Sequence, residues 1–295
     1  MSARLKRDKE WAIGLSPVTS NAASGPRLDN CALDVYTANP VDIRNLAAKM
    51  KTDWDLRAQE NARFYIASDD WQNEEAFRAS GVRDAALVIR GLEGFVHPEM
   101  RVLEIGCGIG RVLRVLAPRF AELHGVDVSG EMIQRGRDWL ADCPNVFLHE
   151  TSGVDLGIFP TGAFDFVYSC ITFQHMPVGV VASYGREVRR VLAPQGRFRF
   201  QVLSFERVDG LECEPSPEDT FTLRSVSDTD LDTMLHEARL EPLTRYEIHA
   251  ADGYVPGYRR IRQVWITCGH RARSWWRRRR STVEIERVFQ EFDPT

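Results

Sequence analysis

The chain has 295 residues, 43% of them hydrophobic, enough to bury a full core around one α/β domain with extensions and too few for a second domain of equal size. A formal net charge of −4 gives no global attraction to nucleic acid or to an anionic membrane, so such a partner would have to be met by a local patch. The six cysteines (Cys31, Cys107, Cys143, Cys170, Cys213, Cys268) form no Cys-x-x-Cys pair and no zinc spacing, which speaks against a disulfide scaffold or a metal module and for reduced thiols in a cytoplasmic compartment.

Residues 1–28 mix charge with the stretch Ser16 to Pro26, rich in Ser, Asn, Gly and Pro, and predict a flexible arm. Their charged start lacks an apolar core, so neither a signal peptide nor a membrane span is expected. Residues 29–98 read as a helical extension, with helical patterning from Pro40 to about Ser80 and a helix over Asn73 to Arg90 leading into the first strand. From 99 to 270, strands near 101–106, 122–128, 145–149, 164–170 and 196–203 alternate with helices. A helix from Ser227 to Leu240, capped by Ser227 or Asp228, and two strand-like runs, Leu243–His249 and Ile261–Thr267, follow. This alternation predicts an α/β fold with a doubly wound, mostly parallel sheet. Residues 271–295 form an arginine-rich tail.

The most informative stretch is Val102-Leu-Glu-Ile-Gly-Cys-Gly-Ile-Gly-Arg111. It reads as a buried strand that breaks into glycines at alternate positions and then enters a helix. Glu104, Gly106, Gly108 and Gly110 spell E-x-G-x-G-x-G, in which missing side chains let a ligand lie against bare backbone and a helix N-terminus. A second strand-like run, Glu122 to Val128, brings Asp127 to its end, where a carboxylate in a βαβ unit takes both hydroxyls of a ribose. The spacing is not the G-x-G-x-x-G of a dinucleotide site, which disfavours a nicotinamide dehydrogenase.

These residues resemble motif I of class I methyltransferases that use S-adenosyl-L-methionine, bacterial small-molecule branch. Asp127 looks like that family's ribose acid, Phe164 to Cys170 like its fourth strand, and Leu192 to Phe198 like its turn into the fifth. The resemblance implies a seven-stranded sheet of order 3-2-1-4-5-7-6 with the last strand antiparallel. It implies S-adenosyl-L-methionine as cofactor, held by Gly106, Cys107, Gly108 and Gly110, with Glu104 at the methionine ammonium. Val128 and Met132 either flank the adenine or are simple core. Ser152, Gly153 and Val154 fall where the ring edge is read, although Ser152 stands where the family has an acidic or amide residue. Ser169 ends the fourth strand, and behind it Phe173 and Gln174 shape the pocket, while His175 is either the base that removes the acceptor's proton or a structural histidine.

Trp54, Ala58, Asn61 and Tyr65 share one helical face and form either a lid over the site or ordinary core; Tyr254, Tyr258 and Trp265 offer further apolar walls. The expected reaction is methyl transfer to an oxygen, nitrogen or carbon of a small, partly apolar metabolite of natural-product type, aromatic or isoprenoid. The alternatives are an RNA-directed methyltransferase or RNA-binding protein that uses the tail, and a cofactor-binding protein without catalysis. Arg271 to Arg280 carries six arginines and two tryptophans, but Glu284, Glu286, Glu291 and Asp293 stand ready to pair with them, so nucleic acid is not the expected partner. Exchange of the N-terminal arm offers a route to a homo-oligomer.

Overall fold

The computed structural model describes residues 43–67, 70–207, 219–249, 258–270 and 285–289. The N-terminal arm, Tyr254 and the Arg271 to Arg280 cluster lie outside the described residues.

Among the described residues, two helices precede the sheet: α1 (Ile43–Ile66) and α2 (Glu74–Ile89). Asn73 starts α2 as anticipated, its Oδ1 accepting from the Ala76 N–H at 2.7 Å and so satisfying one of the orphan donors of the first turn. The alternating core follows: β1 (Arg101–Ile105), α3 (Arg111–Leu116), β2 (Glu122–Asp127), α4 (Gly130–Trp139), β3 (Val146–Glu150), β4 (Phe164–Ser169), α5 (Val178–Val191) and β5 (Leu192–Arg207). Then come α6 (Asp228–Glu237), capped by Ser227, and strands β6 (Leu240–His249), β7 (Tyr258–His270) and β8 (Ile285–Phe289).

The sheet order is β3-β2-β1-β4-β5-β7-β6-β8. β1 to β5 run parallel to their neighbours, and β7 lies antiparallel between β5 and β6. The seven anticipated strands thus take the anticipated order. An eighth, β8, pairs parallel with β6 in the segment expected only as a tail, so the seven-stranded expectation is short by one edge strand.

Both faces of the parallel half are buried. In β1, Val102 and Leu103 are each fully enclosed yet belong to opposite clusters: Leu103 packs with Val126, Val167 and α5, Val102 with Leu123, Phe166 and α3. The antiparallel half is tied to α2 by Arg199, 1% exposed, whose guanidinium donates to the carbonyls of Leu87, Val88 and Arg90 and to Thr267 Oγ1. A cation at the carbonyl end of a helix satisfies groups that have no partner within the helix and complements its dipole. No helix among the described residues is long and apolar enough to cross a membrane.

Candidate functional site

The parallel strands end together at their carboxyl edge, and the order reverses between β1 and β4, which opens a crevice there. The crevice is a cleft of about 890 Å³, mouth included, floored by the turn after β1 and walled by α1, the end of β2 and the loop after β4. Glu104, Gly106, Cys107, Gly108, Asp127, Val128, Met132, Trp54, Tyr65 and His175 all line it.

The turn works because it has no side chains where they would block the floor. Gly106 has φ +72°, and a Cβ placed there would stand 2.1 Å from Thr172 Cγ2, so only glycine lets the loop after β4 close onto this backbone. Thr172 Oγ1 caps the approach by donating to the Gly106 carbonyl at 3.1 Å. Gly110, at φ +82°, is the residue before α3 and packs under Leu140; it shapes the turn without lining the cleft.

Two carboxylates, Glu104 and Asp127, line the cleft beside this floor. Glu104 is 3% exposed; Tyr168 donates to its Oε2 at 3.0 Å, and Oε1 has no hydrogen-bond partner among the described residues. Burial pushes its carboxyl up to about 8, against the opposing pull of Tyr168 and of Arg111, whose guanidinium is paired with Asp84. Asp127 accepts the Gly108 N–H on Oδ2 and the Ser129 N–H on Oδ1, both at 2.9 Å, which anchors it while leaving lone pairs toward the cleft. Burial raises this carboxyl too, and the backbone donors oppose the rise.

α1 is locked over this floor by Asp55, whose Oδ1 accepts from Ser129 Oγ at 2.7 Å and from the Glu131 N–H at 3.1 Å. Lys51 bridges Asp55 (3.2 Å) and Glu150 (2.7 Å). One carboxylate on α1 therefore acts as a second cap for α4, two residues from Asp127.

His175 lies in the cleft wall with both ring nitrogens engaged. The Ile171 N–H donates to Gln201 Oε1, Gln201 Nε2 to Gln174 Oε1, Gln174 Nε2 to His175 Nε2, and His175 Nδ1 to the Phe221 carbonyl, at 3.2, 3.1, 3.1 and 2.5 Å. An amide nitrogen only donates and a carbonyl only accepts, so the chain of bonds fixes a neutral ring protonated at Nδ1. Burial holds the imidazole down at about 4, with Arg57 adding to the effect. The head of this relay, Ile171, has φ 56°, the left-handed region, which for a β-branched residue costs on the order of 1–3 kcal/mol.

Several anticipated residues stand elsewhere. Asn61 does not share the lid face: α1 kinks there, Asn61 Oδ1 caps the following turn through the Phe64 N–H, and the residue borders a separate groove beside Trp139. A helical projection drawn through Asn61 is therefore out of phase beyond it. Ala58 is fully buried against Phe77 and Met132. Ser152 bonds Asp155 in an exposed turn, Gly153 lies behind Val128, and Val154 packs on the core; none of the three lines the cleft. Ser169 donates to the Ile105 carbonyl from within the sheet, and Phe173 packs on Tyr184, Phe198 and Phe200. Gln174 serves His175 rather than the cleft surface. Trp265, 1% exposed, stacks on Tyr246 at 5.8 Å within the sheet's other core cluster and is no wall of the site.

The structure also adds residues. Ile171 and Thr172 reach the cleft from a stretch whose position after β4 already marked it, whereas Met50, Ile66 and Tyr184 carried no local signal. Tyr184, from α5, is buried and lines the cleft with Asp127 and Val128, which 152–154 do not. No cluster of His, Cys, Asp or Glu among the described residues is arranged to hold a metal ion.

Bare backbone flanked by the buried Glu104 and the part-buried Asp127, with apolar Val128 and Met132 in the same lining, fits an adenosyl amino acid: a diol for Asp127 and an ammonium for the open oxygen of Glu104. Comparison with known proteins agrees. Residues 102–196 match the family model described as a methyltransferase domain. Among curated relatives, tocopherol O-methyltransferase of Arabidopsis thaliana is 34% identical over 130 residues, 42% of this chain and 34% of that one. The 2-methyl-6-phytyl-1,4-hydroquinone methyltransferase of Synechocystis is 31% identical over 100 residues, 34% of this chain and 30% of that one. The chain thus spans about a third of the length of these two relatives. Among solved structures, the 1,6-didemethyltoxoflavin-N1-methyltransferase of Burkholderia thailandensis, with bound 1,6-didemethyltoxoflavin and S-adenosylhomocysteine, superposes with a TM-score of 0.53 at 16% identity, covering 80% of this chain and 93% of that one. That likeness shows the fold.

Proposed function

We propose that this chain, built around a methyltransferase domain with the class I fold, binds S-adenosyl-L-methionine in the cleft and directs its methyl group to an oxygen, nitrogen or carbon of a small, partly apolar metabolite. The observation that carries the reading is the pairing of a side-chain-free floor with two carboxylates, Glu104 and Asp127, in one cleft. The relatives act on a tocopherol and a phytyl hydroquinone by their names, which supports a flat or prenylated acceptor here.

The bound group supplies a methyl on a positively charged sulfur. What the protein adds is position: Asp127 fixes the ribose end, Glu104 the ammonium end, and Trp54, Tyr65 and Met50 from α1 cover the remaining side. Holding two reactants in register is worth about 7–11 kcal/mol of barrier, enough to make placement the main contribution. His175 enters this scheme as a positioning residue, because its one lone pair is already used by Gln174.

Calorimetric titration with S-adenosyl-L-methionine, its demethylated product and a nicotinamide dinucleotide tests the reading. Saturable heat with the first two and none with the third is expected; saturation by the dinucleotide alone overturns it.

A further inference from the structure

The acceptor side of the cleft holds a cation that the cofactor side does not use. Arg57 is half-buried, one helical turn after Trp54 on α1. Its guanidinium lies 4.9 Å from the Trp54 ring centre and 5.0 Å from that of Phe221. Phe221 in turn stacks on His175 (5.7 Å, 9° between planes) and meets Tyr65 edge-on at 5.6 Å. Trp54, Tyr65 and His175 are cleft walls, so the charge stands one ring's thickness behind the acceptor space.

That charge is incompletely balanced. Arg57 Nη1 donates to Thr220 Oγ1 at 3.0 Å, and Thr220 Oγ1 donates to Asp53 Oδ2 at 2.7 Å. The same Asp53 oxygen is held by Lys49 at 2.7 Å, so the carboxylate serves two cations, one of them only through a hydroxyl. The other charged groups around Arg57 are Asp219, which is bonded by Thr222 and the Phe221 N–H, Arg224, and Glu60, which takes the Tyr65 hydroxyl. Arg57 forms no direct ion pair with a carboxylate among the described residues. Its positive potential reaches the wall, since it is one of the causes that hold His175 neutral. His175 offers this wall no base, since both its nitrogens are occupied.

A wall with positive potential, whose histidine has no free nitrogen to take a proton, selects a nucleophile that arrives already ionised. Resting on the methyltransferase reading, we propose that the acceptor is an acidic planar hydroxyl compound, a phenol or enol, bound as its anion against Trp54 and Tyr65, with Arg57 stabilising the anion through the ring wall. Its proton goes to solvent on ionisation, so the protein needs no general base. The field of a half-buried cation in a poorly screened site outweighs the same charge in water several-fold.

The test uses 4-nitrophenol, whose anion is read by absorbance, on protein saturated with S-adenosylhomocysteine. Bound probe should titrate about one pH unit lower than free probe, giving about ten-fold more anion at a fixed pH below its midpoint. Arg57→Gln should abolish that displacement and Arg57→Lys keep part of it. Asp53→Asn, which removes the counter-charge, should displace the titration further down. Opposite directions for R57Q and D53N separate electrostatics from damage to the fold. A bound titration unmoved or raised, no perturbation of the probe at all, or equal behaviour of R57Q and the parent overturns the proposal. Calorimetry of S-adenosylhomocysteine on the same samples separates the two levels: if that ligand does not bind, the methyltransferase reading fails; if it binds and the probe is not displaced, only the anionic-acceptor proposal fails.

Discussion

At the scale of single residues, Glu104 couples ligand binding to pH. With its carboxyl near 8 in the free protein, Glu104 carries a proton at neutral pH, and an incoming ammonium must displace it. Affinity for S-adenosylhomocysteine should therefore rise with pH, by up to about ten-fold per unit, and level off above about 8. Calorimetry in buffers of different ionisation enthalpy should register close to one proton released at pH 7. Glu104→Gln should remove the pH dependence and weaken binding by about 10 to 100-fold, the worth of a charged hydrogen bond. The same shift works against the free fold: the native state binds more protons than the unfolded chain between 4.5 and 8, so this carboxyl lowers stability as pH rises through that window. His175 has the opposite sign. Its folded value near 4 lies below the ordinary 6.5, so the stability from its neutral ring is complete above 6.5 and is lost as pH falls toward 4. Because the ring holds Phe221 and Gln174 rather than a proton in flight, His175→Gln should reduce turnover by less than ten-fold, where loss of a general base costs 10²–10⁴. A steady-state loss of a hundred-fold or more would restore the base role. Glu104 and Asp127 were legible because their chemistry is tied to local spacing. The engagement of His175 was not, since Gln201 and Phe221 are separated from it by 26 and 46 positions and nothing in Gln-His-Met announces them.

At the scale of elements, the helical extension that lines the cleft is anchored there by one side chain, Asp55. Asp55 joins α1 to the first turn of α4, beside Asp127, the carboxylate proposed to hold the ribose, so docking of α1 should be coupled to ligand binding. Asp55→Ala should loosen α1 and weaken S-adenosylhomocysteine binding by about three to ten-fold, through loss of two hydrogen bonds worth about 1 kcal/mol each. Hydrogen exchange should show faster exchange confined to α1 and the start of α4, and unchanged protection there would mean the contact is idle. The helix itself was visible in the periodicity, and Trp54 and Tyr65 do reach the cleft. Asn61 misled because a cap within a continuous helical pattern looks like any polar residue; the kink is set by its side chain bonding Phe64, a three-residue contact that competes with the helix. Tyr184 escaped for another reason: its neighbours Thr151 and Asp127 sit on other elements, and an isolated tyrosine in an amphipathic helix reads as core.

At the scale of the whole molecule, the alternation of strands and helices made a parallel, doubly wound sheet readable and the family resemblance supplied the strand order, whereas the outer edge was not readable. β8 is five residues whose arginine-rich and acidic surroundings look solvated, and what recruits it is the open edge of β6, a property of the assembled sheet. An unpaired edge of ten residues is a template for another chain, and β8 covers its second half, from Arg245 to His249. A chain ending after His270 should therefore self-associate with rising concentration, seen by light scattering, while the full chain does not. The cleft lies at the ends of β1, β2 and β4, with β5 and β7 between it and that edge, so the shortened chain should bind S-adenosylhomocysteine within about two-fold of the parent. Association without loss of affinity is the expected pair of results. A shortened chain that stays dispersed would show that β6 tolerates its open edge, and one that loses the ligand in step with association would show that the far edge and the cleft are mechanically linked through the sheet.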